Sequence, residues 1–245
     1  MDIGSIVLLG NELVLRRRVD AIAHNVANVN TSGFKRAQTL AATVSRDMVD
    51  VRPEHRSVKQ VLDFGVAADP SDGPFQPTGN PLDVAIRGLG MFAVRLADGT
   101  TAYTRAGALR LSADGVLEVA GGSVLGADGG EIRILPEAAA RASVSADGTV
   151  VAAGEVVGTL AVHRGDARLA SPVGDGLVTW SATQLVPPAE VRLQPGGLEG
   201  SNVIAVVESA ALIQATRAYQ ATQKMSGDLA DLGRRSVERL GRNQY

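Results

Sequence analysis

The chain has no cysteine, which excludes disulfides and thiol chemistry and leaves its redox compartment open. Aromatic residues are almost as scarce, at 3% of 245 residues, with one tryptophan, three tyrosines and four phenylalanines. Cores must therefore be built from Val, Leu, Ile and Ala, and 28 glycines provide for many tight turns. Charge of one sign is missing too. The formal net charge is −2 with Lys and Arg spread along the chain, so no basic field marks a nucleic-acid partner. No run reaches the roughly 18 apolar residues that a membrane span requires. Asp2 stands where a secretory signal carries its basic region, and no cleavage-like site follows, so no cleaved signal peptide is predicted. With 45% apolar and 20% charged residues, the length allows one large domain or two to three small ones.

What the chain does have is an apolar stripe near each end. Leu15, Val19, Ile22, Val26 and Val29 recur at alternating spacings of four and three, the seam period of a coiled coil. The pattern predicts a helix to about Asn28, stopped by Asn30-Thr31-Ser32-Gly33, with Gly33 or an Asn in the left-handed region. Ile3, Ile6, Leu9 and Leu13 open an earlier stripe, displaced near Arg16-Arg17-Arg18. Residues 35–81 lack periodicity and hold Pro53, Pro70, Pro74, Pro77 and Pro81, which predicts an extended connector arm.

From 82 to 195, short alternating runs such as Ala93–Leu96, Leu109–Leu111, Val116–Val119, Ile132–Ile134 and Leu160–Val162 read as strands. Asp-Gly pairs at 98–99, 114–115, 128–129, 147–148 and 175–176 separate them. Asp-Gly suits type I′ turns, so an antiparallel meander or barrel is predicted. In 196–245 a second helix is predicted, capped by Gly200-Ser201-Asn202. Val203, Val207, Ala210 and Ile213 form its stripe, continued by Met225, Leu229 and Leu232. The predicted fold class is α+β. Terminal helices (1–34 and 196–245) pair as a coiled-coil domain, and an antiparallel β domain is inserted between them. Neither helix would be robust alone, since isolated helices are marginal in water.

The chemistry-bearing motifs fail in their local context. Gly88-Leu89-Gly90-Met91-Phe92-Ala93 matches the G-x-G-x-x-A pattern of a dinucleotide site, but that site needs a helix next, and Ala93–Leu96 reads as strand. His24 has only Asp20 within a helical turn, too little for a metal, and His55 and His163 stand alone. Asp114, Glu118, Asp128 and Glu131 sit mostly at turns, where Asp has a conformational role, and no G-x-S-x-G elbow occurs. No catalytic, cofactor or metal site is predicted, and no enzyme. Asn25, Asn28 and Asn30 admit two readings, helix termination or register-fixing amides between subunits.

Three stretches share a resemblance. Residues 25–35, Asn-Val-Ala-Asn-Val-Asn-Thr-Ser-Gly-Phe-Lys, resemble the N-terminal signature of bacterial flagellar rod and hook proteins. Gln76–Ile86, with Tyr103-Thr104-Arg105-Ala106-Gly107, is similar to that family's central motif. Leu198-Glu199-Gly200-Ser201-Asn202-Val203 and Arg217-Ala218-Tyr219-Gln220 are similar to its C-terminal signature. The resemblance implies a non-enzymatic subunit of the basal-body rod, of the proximal type, transmitting torque from motor to hook. A distal rod subunit is the alternative within the family; a soluble ligand-binding or carbohydrate-active β-domain protein is the alternative outside it. The resemblance further implies a periplasmic helical tube and export by the flagellar type III apparatus without a cleaved signal. Implied partners are copies of the chain, other rod proteins and neighbouring basal-body components, with no nucleic acid and no small-molecule substrate. The expected assembly interface is Leu15, Val19, Ile22, Asn25, Val26, Asn28, Val29, Asn30 and Phe34 at one end. At the other it is Val203, Val207, Ile213, Tyr219, Met225, Leu229 and Leu232.

Overall fold

A computed structural model describes residues 3–47, 57–166, 170–174 and 176–242. The chain divides into two units, each discontinuous in sequence. The first gathers the chain up to Val26, Ala37–Ala67 and the chain from Ala205. It holds helix α1 (Ile3–Ala27), strands β1 (Ala37–Asp47) and β2 (Ser57–Ala68), which pair with each other, and helix α2 (Ala205–Arg242). Part of the expected connector arm is thus extended and also paired. Pro53 and His55 lie outside the described residues.

The five seam positions, four on α1 and Val29 just beyond it, are withdrawn from water, together with Ala21 and Asn25. Ile22 is buried and Leu15, Val19, Val26 and Val29 are half-buried, whereas Leu9 and Leu13 remain exposed. On α2 the covered row is Glu208, Leu212, Ala215, Tyr219 and Thr222, again at four-three spacing. Asn25 donates to Glu208 Oε2 at 3.1 Å and Gln223 donates to Glu12 Oε1 at 3.4 Å, so α1 descends as α2 ascends. The predicted α2 stripe lies beside the covered row, with Val207, Ile213, Met225, Leu229 and Leu232 all exposed. The side chains of Val237 and Leu240 lie outside the described residues. The helix also begins later than predicted, at Ala205. Ser201 Oγ accepts from the Val203 N–H at 3.2 Å, and Asn202 is engaged elsewhere.

The second unit gathers Ala27–Arg36 and Ala68–Ile204. Its strands begin with β3 (Phe75–Pro77), β4 (Val84–Ile86), β5 (Met91–Arg95), β6 (Thr101–Thr104), β7 (Arg110–Leu111), β8 (Leu117–Val119) and β9 (Gly122–Val124). Next come β10 (Ala142–Val144), β11 (Thr149–Ala152), β12 (Glu155–Thr159), β13 (Val162–Gly165) and β14 (Ala170–Gly174). The last are β15 (Leu177–Trp180), β16 (Thr183–Leu185), β17 (Leu193–Pro195) and β18 (Gly197–Glu199). The main sheet has nine strands in the order β14-β15-β6-β5-β9-β8-β7, with β13 joined to β5 and β16 to β13. Its pairings are antiparallel, but β5–β9, β6–β15 and β5–β13 join strands remote in sequence, so this is no simple meander. β5 is the hub. Val94 stands opposite both Ala102 and Val124, and Phe92 opposite Thr104 and Val162. Phe92, Ala93 and Val94 are accordingly all buried, the pattern of a strand covered on both faces. The three-stranded sheet β10-β11-β12 adds Ala142, Val144, Val150 and Ala152 to the same core as Leu117, Ile132 and Leu160. Residues 132–134, expected as a strand, make a single bridge, Arg133 to Val116.

The Asp-Gly turns differ from expectation in an instructive way. Gly99, Gly115, Gly129 and Gly148 donate to the carbonyls of Leu96, Ser112, Gly126 and Ser145, and those four residues donate onward to Thr100, Val116, Gly130 and Thr149. That is a type I turn closed by a glycine bulge, in which only Gly needs positive φ. Asp98, Asp128 and Asp147 instead accept the N–H two residues on, at 2.8, 3.1 and 3.0 Å. Asp175 lies outside the described residues. Turns with two positive φ angles occur at Ala120-Gly121 (49° and 78°) and Ala153-Gly154 (54° and 90°), each closing a two-residue hairpin.

Candidate functional site

All three signature stretches have members in the second unit, and they meet at one carboxylate. Strand β18 pairs with β3, setting Glu199 opposite Phe75, and β17 pairs with β4, setting Pro195 opposite Val84. The intervening Gln-Pro-Thr-Gly-Asn-Pro loop is closed by Asp83, which accepts from Thr78 Oγ1 at 2.6 Å and from Asn80 Nδ2 at 2.8 Å. The Glu199 side chain is 3% exposed. Its Oε1 accepts from Lys35 Nζ at 2.6 Å and from the Gly73 N–H at 2.9 Å, and its Oε2 accepts from Arg105 Nη1 at 3.0 Å. Its backbone carbonyl accepts the Gly33 N–H at 2.7 Å.

Each partner is fixed in turn. Lys35 Nζ also donates to the Ser71 carbonyl at 2.6 Å. Arg105 donates to the carbonyls of Ile86 and Gly88, at 3.3 and 2.5 Å, and lies 3.7 Å from Asp72. Gly33 has φ +72° and presses so closely on the Arg105–Ala106 backbone that a Cβ would collide with it. The glycine is required here twice over, for its φ and for its missing side chain. Asn202 accepts from the Arg36 N–H at 2.6 Å and donates to the carbonyls of Asp69 and Ser71, at 3.2 and 3.0 Å. Burial holds Lys35 below the ordinary lysine value of 10.5, and the Arg105 charge lowers it further, while Glu199 opposes both.

A second polar clamp closes the first unit. Asn25 is fully buried, accepts the Ala37 N–H at 2.7 Å and donates to the Ala37 carbonyl at 2.9 Å and to Glu208. Its amide is thus used within the chain, where it holds the start of β1 and the first turns of α2. Asn28 ends the helix as expected: its carbonyl accepts the Thr31 N–H at 3.1 Å and its side chain the Thr31 hydroxyl, also at 3.1 Å.

The remaining expected interface residues fall into three groups. Phe34 and Val203 are buried, like Ile22 and Asn25. Leu15, Val19, Val26, Asn28, Val29 and Tyr219 are half-buried. Asn30, Val207, Ile213, Met225, Leu229 and Leu232 are exposed. Sequence reasoning passed over Lys35, Arg105 and Glu199, because single charges on loops read as solvated. The available signal was that each signature carries few charges: Lys35 is the lone one in its stretch, and Arg105 and Glu199 share theirs with Asp83 and Arg217. As expected, the G-x-G-x-x-A run enters strand β5 and no helix. None of these groups forms a nucleophile–base pair; the arrangement holds backbone segments together.

Three family descriptions match the chain. "Flagella basal body rod protein" covers residues 15–35, "Flagellar hook protein FlgE/F/G D1 domain" covers 85–152, and "Flagellar basal body rod FlgEFG protein C-terminal" covers 194–231. Lys35, Arg105 and Glu199 supply one residue from each. The chain is 37% identical to the flagellar basal-body rod protein FlgF of Caulobacter vibrioides, over 99% of both chains. It is 33% identical to FlgF of Escherichia coli, over 89% of this chain and 90% of the relative. It is 34% identical to the rod protein FlgG of Agrobacterium fabrum, over 84% and 87%.

Proposed function

Because this chain belongs to the bacterial flagellar basal-body rod protein family, and is a structural subunit of that rod, we propose that it builds the proximal part and carries torque from motor to hook. What supports the proximal assignment over the distal one is the match to FlgF along 99% of both chains, against 84% of this chain for FlgG. The α1 seam and the α2 row pair within the subunit, and the apolar stripe left exposed on α2 packs against neighbouring copies and other rod proteins as a coiled-coil inner layer. Contacts of that kind that do not close on themselves generate a helical tube. The β domain faces outward, the subunit lies in the periplasm, and it arrives through the flagellar type III export apparatus without losing a leader. It has no catalytic role.

The test is a strain lacking this chain, together with basal bodies isolated from a strain carrying a tagged copy. Loss of complete hook-basal bodies and of swimming is expected, with the tag at the motor-proximal end of the rod. A tag at the hook end transfers the reading to the distal rod. Complete basal bodies in the deletion strain overturn the rod assignment.

A further inference from the structure

We infer that the outward row of α1 docks along the exposed stripe of α2 in a second copy of this chain, in one antiparallel register set by two ion pairs. The inference rests on the rod reading for its setting and names which surface of which copy covers the stripe. The face of α1 that the seam leaves in water carries Leu9, Leu13, Arg16 and Asp20, at spacings of four, three and four, and all four are exposed. Leu9 and Leu13 are each 55% exposed, so this is a second apolar row of coiled-coil spacing, uncovered among the described residues. The distal stripe of α2, Met225, Leu229 and Leu232, is exposed in the same way, and Lys224 and Asp228 line its flank.

Charge decides how the two rows meet. Among the described residues the side chains of Arg16, Asp20, Lys224 and Asp228 make no ion pair or hydrogen bond. Arg16 and Asp20 stand one turn apart on α1, and Lys224 and Asp228 one turn apart on α2. Both couples place the base on the N-terminal side, the weaker orientation for pairing along a single helix. Copies stacked head to tail share one polarity, so α1 of one copy runs antiparallel to α2 of the next, as it does to its own. With Leu13 laid over Leu229 and Leu232 in that sense, Arg16 comes level with Asp228, and Asp20 with Lys224. A slip of one heptad toward the start of α2 leaves Arg16 nearly two turns from Asp228, its nearest acid there. A slip the other way sets Asp20 against Asp231, like charge on like. Only the first register satisfies all four charges.

The chain has no cysteine, so introduced thiols are the only ones it carries. Leu13→Cys and Leu232→Cys are combined in the full chain, and isolated basal bodies are oxidised. Within one copy the contact of Gln223 with Glu12 sets positions 13 and 232 roughly 15 Å apart along the helices, too far for a disulfide. A ladder at multiples of the 25.3 kDa chain is therefore expected from links between copies. Leu13→Cys with Ile213→Cys, on the same stripe but five turns away, should give none. Arg16→Glu or Asp228→Arg, added singly, should weaken the ladder at least about threefold, and the two together should restore it. Both sites are exposed, so the urea midpoint of each variant should match the parent. Chain present without a ladder, an adduct of the mass of another rod protein, an equal ladder from the 13/213 pair, or no restoration by the double reversal overturns the proposal. Absence of the chain from basal bodies rejects the rod reading instead. Oxidation of the concentrated purified chain then decides this one: a ladder from the 13/232 pair keeps the contact, and monomer alone rejects it.

Discussion

At the scale of single residues, the strongest consequence of the structure concerns Glu199. Removing it leaves Lys35 and Arg105 buried without their shared counter-charge, and breaking one side of a buried ion pair costs about 3–5 kcal/mol. Glu199→Ala should therefore lower the urea midpoint strongly, and Glu199→Gln, which still accepts hydrogen bonds, by less. A loss under about 1 kcal/mol in the alanine variant, the range of a surface pair, would mean that the junction is solvated. The opposite sign is expected at Ala153, an exposed residue held at φ 54°. Asn tolerates that region better than Ala, so Ala153→Asn should stabilise by about 0.5–1 kcal/mol in the same assay. His163 sets a pH effect. It lies 5.3 Å from the Tyr103 ring, and burial holds it below the ordinary value of 6.5. Below that value the unfolded chain binds the proton more readily than the folded one, so stability falls as pH drops from about 6.5 toward the depressed value. His163→Gln should flatten the urea midpoint across that window. Almost none of this was legible in the sequence. The motifs containing Lys35, Arg105 and Glu199 were visible, but that a loop at 35, a strand end at 105 and a strand at 199 share one buried point depends on strand pairing across more than a hundred residues.

At the scale of elements, periodicity read the helices well and their partners less well. The seam from Leu15 to Val29 is withdrawn from water along with Ala21 and Asn25, because residues at that spacing align on one side. On α2 two candidate rows run side by side, and the covered one carries Glu208 and Thr222, which hydropathy alone would have placed outward. Hydrogen bonding reversed the hydropathy, since Glu208 meets the buried amide of Asn25. Strands were legible from alternation and turns from Asp-Gly, but the turn type was not. Asp serves a type I turn by accepting a backbone N–H, so the pair does not by itself demand a two-residue loop. The two helix faces make separable predictions. Ile22→Asp places a charge at a buried site and should destabilise the free chain as well as block its incorporation into the rod. Ile213→Asp or Met225→Asp alters positions 55% exposed in the free chain. Either should leave the urea midpoint within about 0.5 kcal/mol of the parent and still prevent incorporation. Normal motility with Ile213→Asp would remove the exposed stripe from the rod interface.

At the scale of the whole molecule, the chain passes between its two units at residues 26–27, 36–37, 67–68 and 204–205, so neither unit is complete until the C-terminal part is present. Glu199 and Glu208 are late in sequence, yet they receive Lys35 and Asn25 from the beginning. The start of the chain therefore gains its partners only when the end arrives. The same logic grades the protection along α2. From Ala205 to Thr222 the helix has a covered row, whereas every described side chain from Gln223 onward is exposed. A helical stretch with no packed face is marginal in water. Amide exchange in the free full chain should therefore be slow up to about Thr222 and fast beyond it. In isolated basal bodies the distal part should become as slow as the proximal, as the proposed packing of the exposed stripe through Met225 and Leu229 against neighbours requires. The comparison is made peptide by peptide, with exchange from Ala205 to Thr222 as the internal reference. Equal protection of both halves in the free chain would show that the distal half needs no neighbour. Persistent fast exchange in assembled rods would show that neighbours do not cover it.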